Sequence, residues 1–183
     1  MGEYKRLDRK LIHHGSILDV YQDTMQIPNG HTAAWDFIGH KGAAAVVAVR
    51  DDGKLLMVRQ YRNALERDTL EIPAGGRDTV QEPFIDCAHR ELEEETGYRC
   101  RKEDLEFLIS IYTTVAFCNE RIDIYVADKL EKSRQHLDED EYLGVVACDV
   151  HKLVEEIYAG RLQDAKTVSA ILAYYNKYIV NRK

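Results

Sequence analysis

Apolar and polar positions alternate through the first forty residues. Leu18, Val20 and Tyr21 precede a Pro28-Asn29-Gly30 turn, and Trp35, Phe37 and Ile38 follow it. Alternation on both sides of an Asn-Gly turn is a hairpin pattern, because successive strand side chains point to opposite faces. It predicts an N-terminal antiparallel sheet with strands near 8–14, 17–27 and 31–39. At 43–50 the pattern becomes a continuous apolar run, AAAVVAVR, as in a strand covered on both faces. Asp51-Asp52-Gly53 turns into a return strand at 54–61. After an irregular loop at 63–68, a short strand at 69–72 leads into Pro73-Ala74-Gly75-Gly76. Residues 105–113 and 121–127 alternate as strands around a loop at 114–120. A polar, acidic loop at 131–141 precedes a strand at 143–149. Helices are expected near 83–96, 150–158 and 164–180, the last two separated by Gly160. The order predicts an α/β chain with an N-terminal antiparallel sheet over 1–40 and the main domain over 41–183. So small a sheet cannot bury both its faces alone, so it packs on the main domain or on a second subunit.

The densest chemistry lies at Gly76–Tyr98, GRDTVQEPFIDCAHRELEEETGY. Pro83 suits the first turn of a helix and Gly97 its end. At about 100° per residue, Glu91, Glu94 and Glu95 share one face beside an apolar stripe of Ile85, Ala88 and Leu92, while Glu93 points away. Like charges at these spacings cost a helix roughly 0.2–0.5 kcal/mol per pair, so the cluster asks for a cation. A solvated acidic face is the plain alternative. The neighbouring buried stripe and the glycine turn ahead of the helix favour a ligand set instead. Such hard oxygen donors suit Mg2+, with Mn2+ as a substitute, and these ions hold phosphates.

Composition narrows the classes. The 183 residues carry 45% hydrophobic and 31% charged side chains, which suits one well-buried soluble domain with a small extra sheet. A formal charge of −7 argues against a nucleic-acid partner and requires local positive charge or metal to admit an anionic substrate. No apolar run approaches the roughly 20 residues of a membrane span, and the N-terminus shows no signal-peptide core, so no membrane partner is expected. Cys87, Cys100, Cys118 and Cys148 are scattered, which favours free thiols and a cytoplasmic address.

Gly76, Glu82 and Arg90-Glu91-Leu92-Glu93-Glu94-Glu95-Thr96-Gly97-Tyr98 resemble the complete signature of the Nudix hydrolases. Leu70–Gly76, the loop from Tyr112-Thr113 to Asn119-Glu120, the Asp164-Ala165-Lys166-Thr167 helix start and the N-terminal sheet resemble the ADP-ribose pyrophosphatase branch. That resemblance implies an α/β/α sandwich on a mixed sheet, and a homodimer that exchanges its N-terminal sheet. It implies metal-dependent cleavage of ADP-ribose or a related nucleoside diphosphate sugar into AMP, or another nucleoside monophosphate, and a sugar phosphate.

The resemblance adds roles to the residues. Glu91 and Glu95 lead as metal ligands, with Glu94 directly or through water, and the Gly75 carbonyl joins them. Arg90 orients Glu82 or a neighbouring carboxylate, or pairs with Glu94 one turn on. Carboxylates that hold metal make poor bases, and in this branch the base comes from a separate acidic loop. Here that loop is Leu137–Glu141, with Glu139 as base and Glu141 as a further ligand; the exchanged assignment, a plain solvated loop, and His136 as base are the alternatives. Arg62 matches a phosphate-contacting position, and Arg59 is a second candidate. Glu71 is placed to accept from a base or ribose and Glu120 to meet the terminal ribose. Trp35 either stacks on adenine or belongs to the core or an interface.

One loop departs from the branch. Ser-Pro-Gly-Phe is usual there, and this chain has Thr114-Val115-Ala116-Phe117. Other sugars, dinucleoside polyphosphates or damaged nucleotides therefore stay open as substrates, and so does a non-catalytic nucleotide-binding regulator.

Overall fold

The structure, a computed structural model, describes residues 2–137 and 142–181. It divides into two compact units, Met1–Gly42 with Tyr112–Arg121, and Ala43–Ile111 with Ile122–Lys183. In the first unit β1 (Lys5–His14), β2 (Asp19–Gln26) and β3 (Thr32–Gly39) form an antiparallel sheet in that order. Arg9 forks onto Asp23 of the neighbouring strand with two bonds of 2.6 Å. The Thr114–Asn119 loop is tied to β3: Ile38 N–H donates to the Phe117 carbonyl at 2.7 Å.

The second unit is built on a seven-stranded mixed sheet. Its strands are β4 (Ala43–Val49), β5 (Leu55–Arg62), β6 (Arg67–Glu71), β7 (Ala74–Gly76), β9 (Glu106–Tyr112), β10 (Arg121–Ala127) and β12 (Leu143–Cys148). The order is β12-β5-β4-β10-β9, with β4 and β10 parallel. The apolar run of β4 is buried along its whole length. Ala43, Ala45, Val47 and Val49 face one side, and Ala44, Val46 and Ala48 face the other.

Helix α1 (Phe84–Thr96) covers the second of these faces through Cys87, Ala88 and Leu92. The helices α2 (Val150–Tyr158) and α3 (Ala165–Tyr174) cover the first through Val150, Leu153, Ala170, Ile171 and Tyr174. The result is the α/β/α sandwich that the resemblance implies. Each fully buried aliphatic side chain contributes roughly 1.5–3 kcal/mol here.

Three features depart from the expected elements. The glycine turn is itself a strand: β7 pairs antiparallel with Ala43–Ala45 of β4. It can do so because β5 borders β4 only at Ala48 and Val49, which leaves the start of β4 with an open edge. Val46 N–H completes that edge by donating to the Pro73 carbonyl at 2.9 Å. The polar 131–141 segment begins with β11 (Glu131–Lys132), which pairs with β8 (Tyr98–Arg99). Helix α3 ends at Tyr174, and Tyr175–Val180 continues as a π-helix.

Candidate active site

Helix α1 begins after Pro83, whose extended backbone precedes the first turn, and ends at Gly97 in the left-handed region at φ 67°. Between them the side chains take the faces that a 3.6-residue period dictates. Cys87, Ala88 and Leu92 sit in the core, and Glu91 and Glu95 are buried at its border against β7. Glu95 is 3% exposed, and its Oε2 accepts the Ala74 N–H at 2.8 Å. Glu91 lies so close to Gly75 that a Cβ at that position would run into its carboxylate. The Cys87 thiol donates to the Gly75 and Gly76 carbonyls at 3.4 Å each.

One guanidinium joins two of the helix carboxylates. Arg90 Nη1 donates to Glu91 Oε1 at 2.7 Å and to Glu94 Oε2 at 2.8 Å, while Nη2 donates to the Gly76 carbonyl at 3.0 Å. Its Nε is buried without a hydrogen-bond partner, 3.6 Å from Glu82 Oε1. Burial opposes the charge on Arg90, and the attraction of Glu91 and Glu94 outweighs it, so its pKa rises above the ordinary arginine value. Arg90 thus contacts Glu94 one turn on and Glu91 beside it. Glu82 Oε2 accepts the Asp78 N–H at 2.6 Å and fixes the loop ahead of the helix.

These groups fit a hard divalent cation in kind, since every donor is oxygen and the set already collects one positive group. Glu91, Glu94, Glu95 and the Gly75 carbonyl would be its donors. Among the described residues no group of three or more His, Cys, Asp or Glu side chains stands in metal-ligand geometry. Arg90 stands between Glu91 and Glu94 instead.

A second polar network lies where β5 and β6 meet the start of α3. Arg62 forks onto Glu71 with bonds of 2.8 and 2.7 Å, Thr69 Oγ1 donates to Glu71 at 2.5 Å, and the Lys166 ammonium also donates to it. Glu71 is 2% exposed. Burial would raise its pKa, but Arg62 and Lys166 outweigh burial and hold it at about 2. Its carboxylate is thus committed to neighbouring side chains, whereas the Arg62 side chain is 42% exposed. Arg62 and Arg59 both line a cavity of about 530 Å³, with Arg67, Arg161 and Lys166. Lys166 belongs to the Asp164-Ala165-Lys166-Thr167 helix start named for its resemblance, but nothing in the sequence tied it to Glu71, 95 residues away.

In the first unit, Trp35 is 46% exposed and tilts 5.9 Å from the Tyr4 ring. It lines an apolar cavity of about 670 Å³ with Ile38, Ala116 and Phe117. Glu120 accepts from Thr113 Oγ1 at 2.6 Å. Glu139 and Glu141 lie outside the described residues. The segment just ahead of them is anchored to α1: His136 N–H donates to the Glu94 carbonyl at 3.0 Å, and Gln135 Nε2 to the Glu95 carbonyl at 2.7 Å. All four cysteines are free thiols, and no helix of the described residues is long and apolar enough to cross a membrane.

Fold and site define a class: a three-layer α/β/α protein whose acidic helix is docked on a glycine strand. The NUDIX domain family matches residues 39–170, and the chain belongs to the Nudix family of hydrolases. Members of that family generally need a divalent metal. A protein of Bacillus methanolicus named methanol dehydrogenase activator is 39% identical over 92% of this chain and 91% of its own length. An ADP-ribose pyrophosphatase of Bacillus subtilis is 37% identical over the same shares. A crystal structure of an ADP compounds hydrolase shares the fold, with a TM-score of 0.82 over 96% of this chain and 94% of that one, at 22% identity.

Proposed function

We propose that the chain is a metal-dependent pyrophosphatase that splits ADP-ribose or a related nucleoside diphosphate sugar into AMP, or another nucleoside monophosphate, and a sugar phosphate. The observation that carries this reading is the seating of the helix carboxylates against β7: Glu95 accepts the Ala74 N–H, Glu91 abuts Gly75, and Arg90 ties Glu91 and Glu94 to the Gly76 carbonyl. In this reading Gly75, Glu91, Glu94 and Glu95 hold Mg2+, for which Mn2+ substitutes, and Glu141 adds a ligand. When bound, the metal would neutralise phosphate charge and ease deprotonation of the attacking water.

The protein's own groups supply the rest. Glu139 takes the proton from water, a task for a carboxylate outside the ligand set. The bonds of His136 and Gln135 to the Glu94 and Glu95 carbonyls, at positions just ahead of Glu139 in the chain, support this. Arg90 keeps Glu91 and Glu94 aligned. Arg62 meets a substrate phosphate, and Glu71 serves the substrate by fixing the Arg62 fork. Trp35 takes the base and Glu120 the terminal ribose.

The N-terminal sheet is the surface for a homodimer. Leu7, Leu11 and Ile12 of β1 are exposed there, as is Trp35 of β3, which is uncommon for a sheet with no partner. The enzyme works in the cytoplasm on a small nucleotide sugar, without nucleic acid or membrane.

The test is a panel of nucleoside diphosphate sugars with Mg2+, Mn2+ or chelator, with products identified. Release of a nucleoside monophosphate and a sugar phosphate only with metal is expected. No turnover of any sugar would overturn the reading. The relative named as a dehydrogenase activator favours a second reading, a regulator of another enzyme. Nucleotide binding without turnover under either metal would support that one.

A further inference from the structure

Residues on either side of Pro73 are held by side-chain oxygens from two different helices. Ala74 N–H donates to Glu95 of α1 at 2.8 Å, and Ile72 N–H donates to Thr167 Oγ1 of α3 at 3.0 Å. Proline has no N–H, so these are the backbone donors that flank the bend into β7. Thr167 is fully buried, and its hydroxyl donates onward to Asp164 Oδ2 at 2.6 Å. That carboxylate also accepts the Thr167 N–H at 3.1 Å and the Lys166 ammonium at 2.9 Å. Asp164 therefore fixes the rotor of the Thr167 hydroxyl so that its lone pair faces Ile72. Residues 95 positions apart are joined in this way.

We infer that Thr167 is a positioning residue for the carboxylate site, setting through Ile72 the place of the Ala74–Gly75 backbone against Glu95 and Glu91. The inference rests on the proposed metal-dependent function for its kinetic consequence. Its geometric basis is independent of that reading. Gly75 has no spare room against the Glu91 carboxylate, so a small displacement of the bend alters the spacing of donors around the site.

The experiment compares Thr167→Val, Thr167→Ser and Thr167→Ala with a control, Ile171→Val, at a fully buried position of the same helix. Valine keeps the shape and removes the acceptor; serine keeps the acceptor. Thr167→Val is expected to lower kcat and to weaken binding of Mn2+ alone by roughly 10–100-fold, with KM for the sugar within about twofold. Thr167→Ser should restore both to within about threefold of the parent. Ile171→Val should lower the melting temperature and leave both readouts in place. Thr167→Ala removes the same acceptor with a smaller side chain, shifts both readouts in the same direction, and decides the matter if Thr167→Val does not fold.

Parent-like Mn2+ binding and kcat in folded Thr167→Val would overturn the inference, as would an equal loss in Ile171→Val. If the parent hydrolyses no nucleotide sugar, the functional reading fails. The Mn2+ comparison then still decides the positioning role.

Discussion

Glu95 Oε2 and the Ala74 N–H meet at 2.8 Å, so one carboxylate both docks helix α1 on strand β7 and contributes charge to the site. Replacing it separates the two roles. Glu95→Gln keeps an oxygen acceptor for Ala74 and removes the charge. Thermal unfolding should therefore stay within roughly 1 kcal/mol of the parent, while turnover falls by at least about 100-fold. Glu95→Ala leaves the Ala74 N–H unpaired and should add about 1–3 kcal/mol of destabilisation. Full turnover in a folded Glu95→Gln would remove Glu95 from the metal set.

Gly75 and Gly76 are predicted to differ sharply. A Cβ on Gly75 would collide with the Glu91 carboxylate, whereas one on Gly76 meets nothing within 4 Å. Glu91 cannot simply swing aside, because Arg90 holds it at 2.7 Å. Gly75→Ala should cost about 1–3 kcal/mol as an overpacked contact and should abolish turnover by displacing Glu91. Gly76→Ala should fold with nearly parental stability. Equal melting temperatures for the two variants would contradict this account.

The acidic face of α1 was legible because a helix fixes which residues share a side, and proline and glycine mark its ends. The continuous apolar run of β4 likewise announced a strand covered on both faces. Strand β7 was not legible: Ala-Gly-Gly has no strand propensity, and it pairs only because β5 leaves the start of β4. The Glu71 network was hidden for another reason. Lys166 and Glu71 are 95 residues apart, and no local pattern marks a buried carboxylate that takes two cations. Trp35 kept its ambiguity in sequence because a half-exposed aromatic alternates along a strand as a core residue does.

Acid should act on the protein through Glu71. Its pKa in the fold is about 2 against an ordinary 4.5, after Arg62 and Lys166 overcome the effect of burial. A depressed carboxylate stabilises the fold fully above its unfolded value and loses that contribution as pH falls through the folded one. The stabilisation is therefore present above about pH 4.5 and declines between there and about pH 2, by roughly 2–3 kcal/mol. Glu71→Gln should flatten the fall in unfolding free energy over that window and lower stability at neutral pH. A parent and variant with parallel profiles below pH 4.5 would assign the acid sensitivity elsewhere.

Thiol reagents should discriminate among the cysteines. Burial pushes Cys87 up to about 12 and Cys100 to about 11, and both side chains are buried. Reaction requires the thiolate, so neither should label at pH 8 until the protein unfolds. Cys118 is only partly buried and should label first in the native state, as mass spectrometry of the tryptic peptides would report. Native labelling of Cys87 at the rate of Cys118 would contradict the packing of α1 on the Gly75 and Gly76 carbonyls.

Arg90 is the residue at which a conservative exchange should fail. Its planar fork reaches Glu91, Glu94 and the Gly76 carbonyl at once, at 2.7, 2.8 and 3.0 Å. A lysine ammonium keeps the charge but is a compact donor on a flexible stem, so it cannot hold all three acceptors in one plane. Arg90→Lys should therefore lower kcat by about 10–100-fold, in the range for partners that orient ligating groups, at a cost of roughly 1–2 kcal/mol in stability. Arg90→Ala leaves the buried Glu91 without this partner and should cost about 3–5 kcal/mol. Turnover measured beside thermal melting separates these outcomes. A lysine variant with parental kcat would mean that the charge alone suffices and that the fork geometry does not align the carboxylates.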